Sequence, residues 1–143
     1  MSLRRLSALI LVMLLCALGF ASPSPRQSAA RVDTKAITFD KDDQTTTIDC
    51  KENAITIKGD DNHLTITGQC GRVTVNGDDN RITAAAVIEL AVSGDDNTIN
   101  VETVGKIDTS GDDNKVTWTK GVGGKDPVIS DTGDDNKTRQ ARN

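Results

Sequence analysis

The residues best suited to chemistry in this 143-residue chain are paired aspartates. The tetrad Gly-Asp-Asp-Asn begins at Gly59, Gly77, Gly94, Gly111 and Gly133. Asp60, Asp78, Asp95 and Asp112 therefore share one repeat position and Asp61, Asp79, Asp96 and Asp113 the next, with Asp134 and Asp135 in the last copy. Together with Asp42 and Asp43 upstream, these pairs hold more than half of the 21 acidic residues. Carboxylates gathered into columns would offer the hard oxygen ligands that calcium takes, six to eight at a time and in irregular geometry. Yet such columns need no metal. Two unit charges one strand spacing apart, about 4.8 Å, repel by only about 1 kcal/mol in water, and salt lowers that further. The expectation is aspartates that form turns and carry solubilising charge, with no cofactor. Calcium at Asp60, Asp61, Asp78, Asp79, Asp95, Asp96, Asp112 and Asp113 is the alternative. Against it, calcium-binding β-rolls use a glycine-rich nonapeptide, and this chain has one acidic turn per repeat and no such nonapeptide.

Other reactive side chains are few. His63 is the sole histidine, and no nucleophile elbow, zinc helix motif or phosphate loop occurs, so catalysis is not expected. The single Trp118 is poor provision for gripping sugar rings. Threonines recur at outward strand positions, Thr47, Thr65, Thr83 and Thr117 in one set and Thr38, Thr56 and Thr74 in another. A flat threonine lattice would suit ice, but His63, Arg81, Lys115, Asn100 and Glu102 interrupt it, which leaves ordinary exposed strand threonines.

The elements that must position these residues follow from the repeat. The tetrads are spaced by 18, 17, 17 and 22 residues, too short for two-helix repeats, so each period is one coil of chain. After each Asn comes an alternating segment, as in Asn62-His-Leu-Thr-Ile66 and Asn97-Thr-Ile-Asn-Val101, and a second precedes each glycine, as in Val73 and Val75. The same register continues upstream with the glycine lost, at Lys41-Asp42-Asp43-Gln44. One turn type repeated at one period places every copy on the same edge, with each strand beside its counterpart in the next coil. The fold expected is all-β, a short parallel β-solenoid of about five coils of 17–18 residues, with two strands and two turns per coil. Its two sheets would face each other across a thin aliphatic core. Ala84–Ala91 has good helix formers, but a helix there would break the register, so it reads as turn and strand. Gly59, Gly77, Gly94, Gly111 and Gly133 are read as turn residues. Asn62, Asn80, Asn97, Asn114 and Asn136 fall on the inward parity, where stacked carboxamides would satisfy one another and the turn backbone. Trp118, also inward, would plug the end of the core.

The N-terminus carries Arg4 and Arg5, an apolar run from Leu6 to Phe20 and small residues at Gly19 and Ala21, the pattern of an export leader cleaved after Ala21. The run is shorter than the roughly 20 residues of a membrane span, so none is expected after cleavage. Cys16 lacks a small residue before it, which disfavours a lipoprotein. The division expected is leader 1–21, flexible lead-in 22–34 with Pro23 and Pro25, repeat domain 35–137 and basic tail 138–143. Pro127, Lys137, Arg139 and Arg142 would guard the last edge. The net charge of −4, more negative once Arg4 and Arg5 leave, argues against nucleic acid as a partner. In an oxidising compartment Cys50 and Cys70, in adjacent coils two positions out of alignment, are expected to form a disulfide.

Thr-Ile-Asp-Cys50, Ile-Thr-Ile-Lys-Gly59, Leu-Thr-Ile-Thr-Gly-Gln-Cys70, Val-Thr-Val-Asn-Gly77 and Val-Ile-Ser-Asp-Thr-Gly133 resemble the bacterial exported family known as domain of unknown function 3060. The resemblance runs from about Asp40 to Lys137 and includes both cysteines. It implies location outside the cytoplasm, in the periplasm or cell envelope, and implies no activity. The function expected is that of a non-catalytic structural or binding protein, a rigid scaffold for an envelope protein or polysaccharide, either monomeric or stacked end to end. A calcium-binding adhesion module built on the Asp columns is the alternative.

Overall fold

Each Asn corner is followed by aliphatic and β-branched residues at alternate positions, a pattern that suits a pleated surface with one buried face. A computed structural model describes residues 36–142, and there these segments are strands: β1 Ala36–Phe39, β2 Thr45–Asp49, β3 Ala54–Ile57, β4 His63–Val75, β5 Arg81–Ser93, β6 Thr98–Ser110, β7 Lys115–Gly121, β8 Val128–Thr132 and β9 Lys137–Gln140. The expected leader, its cleavage point, Cys16 and the lead-in 22–34 lie outside the described residues. Every pairing is parallel and joins a segment to its equivalent one coil on, for example Leu64 to Ile82, Ile82 to Ile99 and Ile99 to Val116. The chain is a parallel β-solenoid.

All nine strands belong to one continuously hydrogen-bonded sheet. The central coils have no second turn: β4, β5 and β6 each run 13 residues from one side of the core to the other. In β5, Ile82, Ala84, Val87, Leu90 and Val92 are buried, and the wider steps on either side of Val87 are where the strand bends. Ala84–Ala91 lies wholly within this strand.

Among the described residues six rungs stack on each side, one more than the count of about five coils expected from the repeat. The last tetrad interval is stretched because the chain loops out through a 3-10 turn at Val122–Gly124 before Val128–Thr132 re-enters opposite Lys106–Ser110. β9 then pairs with β7 through Gln140, so the repeat extends past Lys137 and the first residues of the expected tail are strand. Trp118 consequently lies one rung inside the end, 6% exposed, with Gln140 in register above it.

The core is a set of aliphatic columns. Ile55, Val73, Leu90 and Ile107 form one, with Ile37 and Ile129 at its ends, and Leu64, Ile82, Ile99 and Val116 form another. The middle members are at most 2% exposed, whereas Ile37 is half-buried and Ile129 is 44% exposed. Cys50 and Cys70 are fully buried and joined by a disulfide with their Cα atoms 5.4 Å apart. Cys50 donates its backbone N–H to Thr67, next to Gly68, so the two cysteines do lie in adjacent coils out of alignment.

Candidate functional site

At the corners the two aspartates of each pair do different work. The backbone N–H of the first donates to the Oδ1 of its counterpart one coil earlier: Asp60 to Asp42 at 2.9 Å, Asp78 to Asp60 at 2.9 Å, Asp95 to Asp78 at 2.8 Å, Asp112 to Asp95 at 2.8 Å and Asp134 to Asp112 at 2.9 Å. The second aspartate turns the chain with φ between 53° and 56°, in the left-handed region that Asp and Asn enter more readily than other side chains. Its N–H donates to the following coil, as Asp61 does to the Asp78 carbonyl at 3.1 Å. Its carboxylate stays exposed.

The asparagines form a second ladder of opposite sense. Asn62 N–H donates to Asn80 Oδ1, Asn80 to Asn97 Oδ1 and Asn97 to Asn114 Oδ1, each at 3.0 Å, and Asn114 to Asn136 Oδ1 at 2.9 Å. Asn97 Nδ2 reaches back to the Gly77 carbonyl at 2.8 Å, Asn114 Nδ2 to Gly94 and Asn136 Nδ2 to Gly111. Asn62 and Asn80 bury their Nδ2 groups without a partner. The polar corner is thus held by charged and neutral side chains that accept backbone amides across every coil junction.

Asp61 and Asp96 are held above the ordinary carboxylate range. Partial loss of hydration at the crowded corner is the first cause; the second is the neighbouring carboxylates, Asp79 and Asp43 around Asp61, and Asp113 and Asp79 around Asp96. Among the described residues, no group of three or more His, Cys, Asp or Glu is placed to hold a metal ion. The first-column carboxylates are already engaged by amides, a role that the sequence reading, which treated both columns alike, did not separate.

The outer face of the sheet carries a different feature. Thr47, Thr65, Thr83, Asn100 and Thr117 are in register along the axis, as the alternation implied, and His63, Arg81, Thr98 and Lys115 run beside them. Where the strands bend after Ile66, Ala84 and Val101, this face becomes concave. A shallow, open groove of about 420 Å³ crosses four rungs and reaches Ala141 just past β9; Thr65, Thr83, Asn100, Thr117 and Glu102 set polar groups along it, but its surface is mostly apolar, with Ile66, Ala84, Ala85 and Val101 among its lining. Ala85 leaves its floor open, and Glu102 at the rim pairs with Lys120 at 3.5 Å. The concavity was not expected from sequence, since alternation gives the facing of a residue but not the curvature beneath it.

Fold and corner together define a parallel β-solenoid repeat protein with a cross-coil hydrogen-bonded edge. The chain belongs to the family described as Protein of unknown function (DUF3060), whose model matches residues 57–102 and again 89–135. The two overlapping matches together cover more than half of the chain, as coils that repeat one another allow. They include Cys70 and stop short of Cys50. No curated protein and no solved structure matches the chain. No helix of the described residues is long and apolar enough to cross a membrane.

Proposed function

We propose that this protein is a non-catalytic scaffold of the bacterial envelope, exported by its leader, that holds an extended polymer, polysaccharide or peptide, along its outer groove. The observation that carries this reading is the groove itself, which crosses four rungs with a mostly apolar surface and sets hydroxyls, a carboxamide and one carboxylate along it at a strand-to-strand repeat. Such groups offer both donors and acceptors at regular spacing to a partner that repeats or extends. The inward positions are filled with packed aliphatics and His63 is exposed on the sheet's outer face, which supports a binding rather than a catalytic role. The test is capture from envelope extracts by the mature domain, with Ala85→Arg filling the groove. Capture of a protein or polysaccharide that Ala85→Arg abolishes is expected. Capture indifferent to the substitution, or turnover of a substrate by the purified protein, would overturn the reading.

A second reading, calcium at the acidic corner, has one feature in its favour: the crowding that raises the pKa values of Asp61 and Asp96 is crowding a cation would relieve. A ligand that binds only the native state raises the melting temperature by mass action. With the groove as the working surface, millimolar calcium leaves the melting temperature unchanged; a clear rise would establish the corner as a site.

A further inference from the structure

We infer that the N-terminal end of the described coils is closed to a second copy of this chain, and that Lys41 and Gln44 are the residues that close it. The basis is directional. At every internal corner a Cβ added to the glycine would lie 2.0–2.4 Å from the backbone carbonyl oxygen of the preceding coil: Lys41 for Gly59, Gly59 for Gly77, Gly77 for Gly94, Gly94 for Gly111 and Gly111 for Gly133. Gly59 and Gly77 do not have positive φ, so space alone demands glycine there. The demand exists only where a coil lies on the N-terminal side. The asparagine position has the same polarity, because its Oδ1 accepts the amide of the preceding coil and its Nδ2 reaches the preceding glycine carbonyl. The two aspartate positions look the other way: the first offers its carboxylate, and the second its N–H, to the following coil.

The first described coil differs from the others in agreement with this polarity. Lys41 stands where glycine is required and Gln44 where asparagine is required, and the Gln44 side chain folds back to the Asp42 carbonyl of its own coil at 2.9 Å. Asp42 and Asp43, which serve the next coil, are retained and make the regular contacts to Asp60. The last coil keeps all four residues, Gly133 to Asn136. Its C-terminal end therefore carries the groups that receive a coil, while the N-terminal end of the described coils lacks those that dock onto one. A copy stacked in register would press the Gly133 carbonyl into the Lys41 Cβ and leave the Asn136 amide facing a side chain already turned away. Head-to-tail growth, the hazard of any solenoid with open edges, is stopped at one end.

The test places a coil there within one chain. A copy of Glu89–Gly105, one period without cysteine, is inserted directly before Ala36 of the mature protein, once with Lys41 and Gln44 kept and once with Lys41→Gly and Gln44→Asn. Each is compared with its own unextended parent by hydrogen exchange and thermal melting. With glycine and asparagine the added coil becomes protected and the melting temperature rises by about 5 °C or more. With the native pair the added coil exchanges as an unfolded chain does, and the melting temperature stays that of the parent. Equal behaviour of the two extended proteins, whether both gain or neither does, overturns the inference. So does sedimentation of the native protein as end-to-end oligomers with protection at residues 41–44.

Discussion

Two adjacent aspartates at each corner meet opposite circumstances. The first is neutralised in part by the amide it accepts; the second stands in a left-handed turn among other carboxylates. Because the raised pKa values of Asp61 and Asp96 mean that ionisation is less favourable folded than unfolded, the stability linked to these groups is complete below the ordinary value of 3.8 and lost as pH rises through the folded value. Thermal melts should therefore show a gain as pH falls from neutrality toward the ordinary carboxylate value of 3.8. Asp61→Asn and Asp96→Asn keep a residue suited to positive φ and remove the charge. At neutral pH each should raise the melting temperature by roughly 1–3 °C and flatten its pH dependence, less so in high salt. The asparagine ladder gives a larger effect. Asn97→Ala strands the buried Asn80 amide and the Gly77 carbonyl and should cost about 2–3 kcal/mol in urea unfolding. Asn80→Ala, whose Nδ2 has no partner to lose, should cost less. The inward parity of the asparagines was readable from alternation. The split between the aspartates was not, because it depends on which coil each backbone group faces.

Coil junctions make the glycine requirement an issue of element spacing. In Gly77→Ala the new methyl would meet the Gly59 carbonyl oxygen at 2.3 Å, which forces two rungs apart along a hydrogen-bonded edge and should cost about 3 kcal/mol. Gly123→Ala, in the loop with φ of 66° and open space around it, carries only the strain of positive φ and should cost about 1 kcal/mol. Urea melts of the two variants separate close approach from backbone conformation. At this scale the tetrad, the strand parity and the cysteine offset were legible because each recurs at a fixed period. The sixth rung was hidden because the insertion before Val128 stretches the period in sequence while β8 keeps it in space. The missing second turn was hidden too, since a bend within β5 and a loop between two strands leave the same alternation on either side.

The described residues form a stack in which each coil touches its neighbours, so their stability is close to a sum over coils and junctions, and the ends are the weakest places to start unfolding. The described coils fit this: the central columns are fully buried, while Ile37, Phe39 and Ile48 at one end are half-buried and Ile129 at the other is 44% exposed. The disulfide acts at the N-terminal end alone, tying Cys50 of the first coil to Cys70 of the second across a separation of 20 residues, a closure that stabilises by about 3 kcal/mol. Trp118 reports from the opposite end. Replacing both cysteines with alanine should therefore release protection against hydrogen exchange in β1, β2 and β3 first. The urea transition followed by Trp118 fluorescence should shift much less than the onset followed by far-UV circular dichroism. If both probes instead move together by the full amount, the solenoid unfolds as one cooperative unit and the junction between the first two coils supports the entire stack.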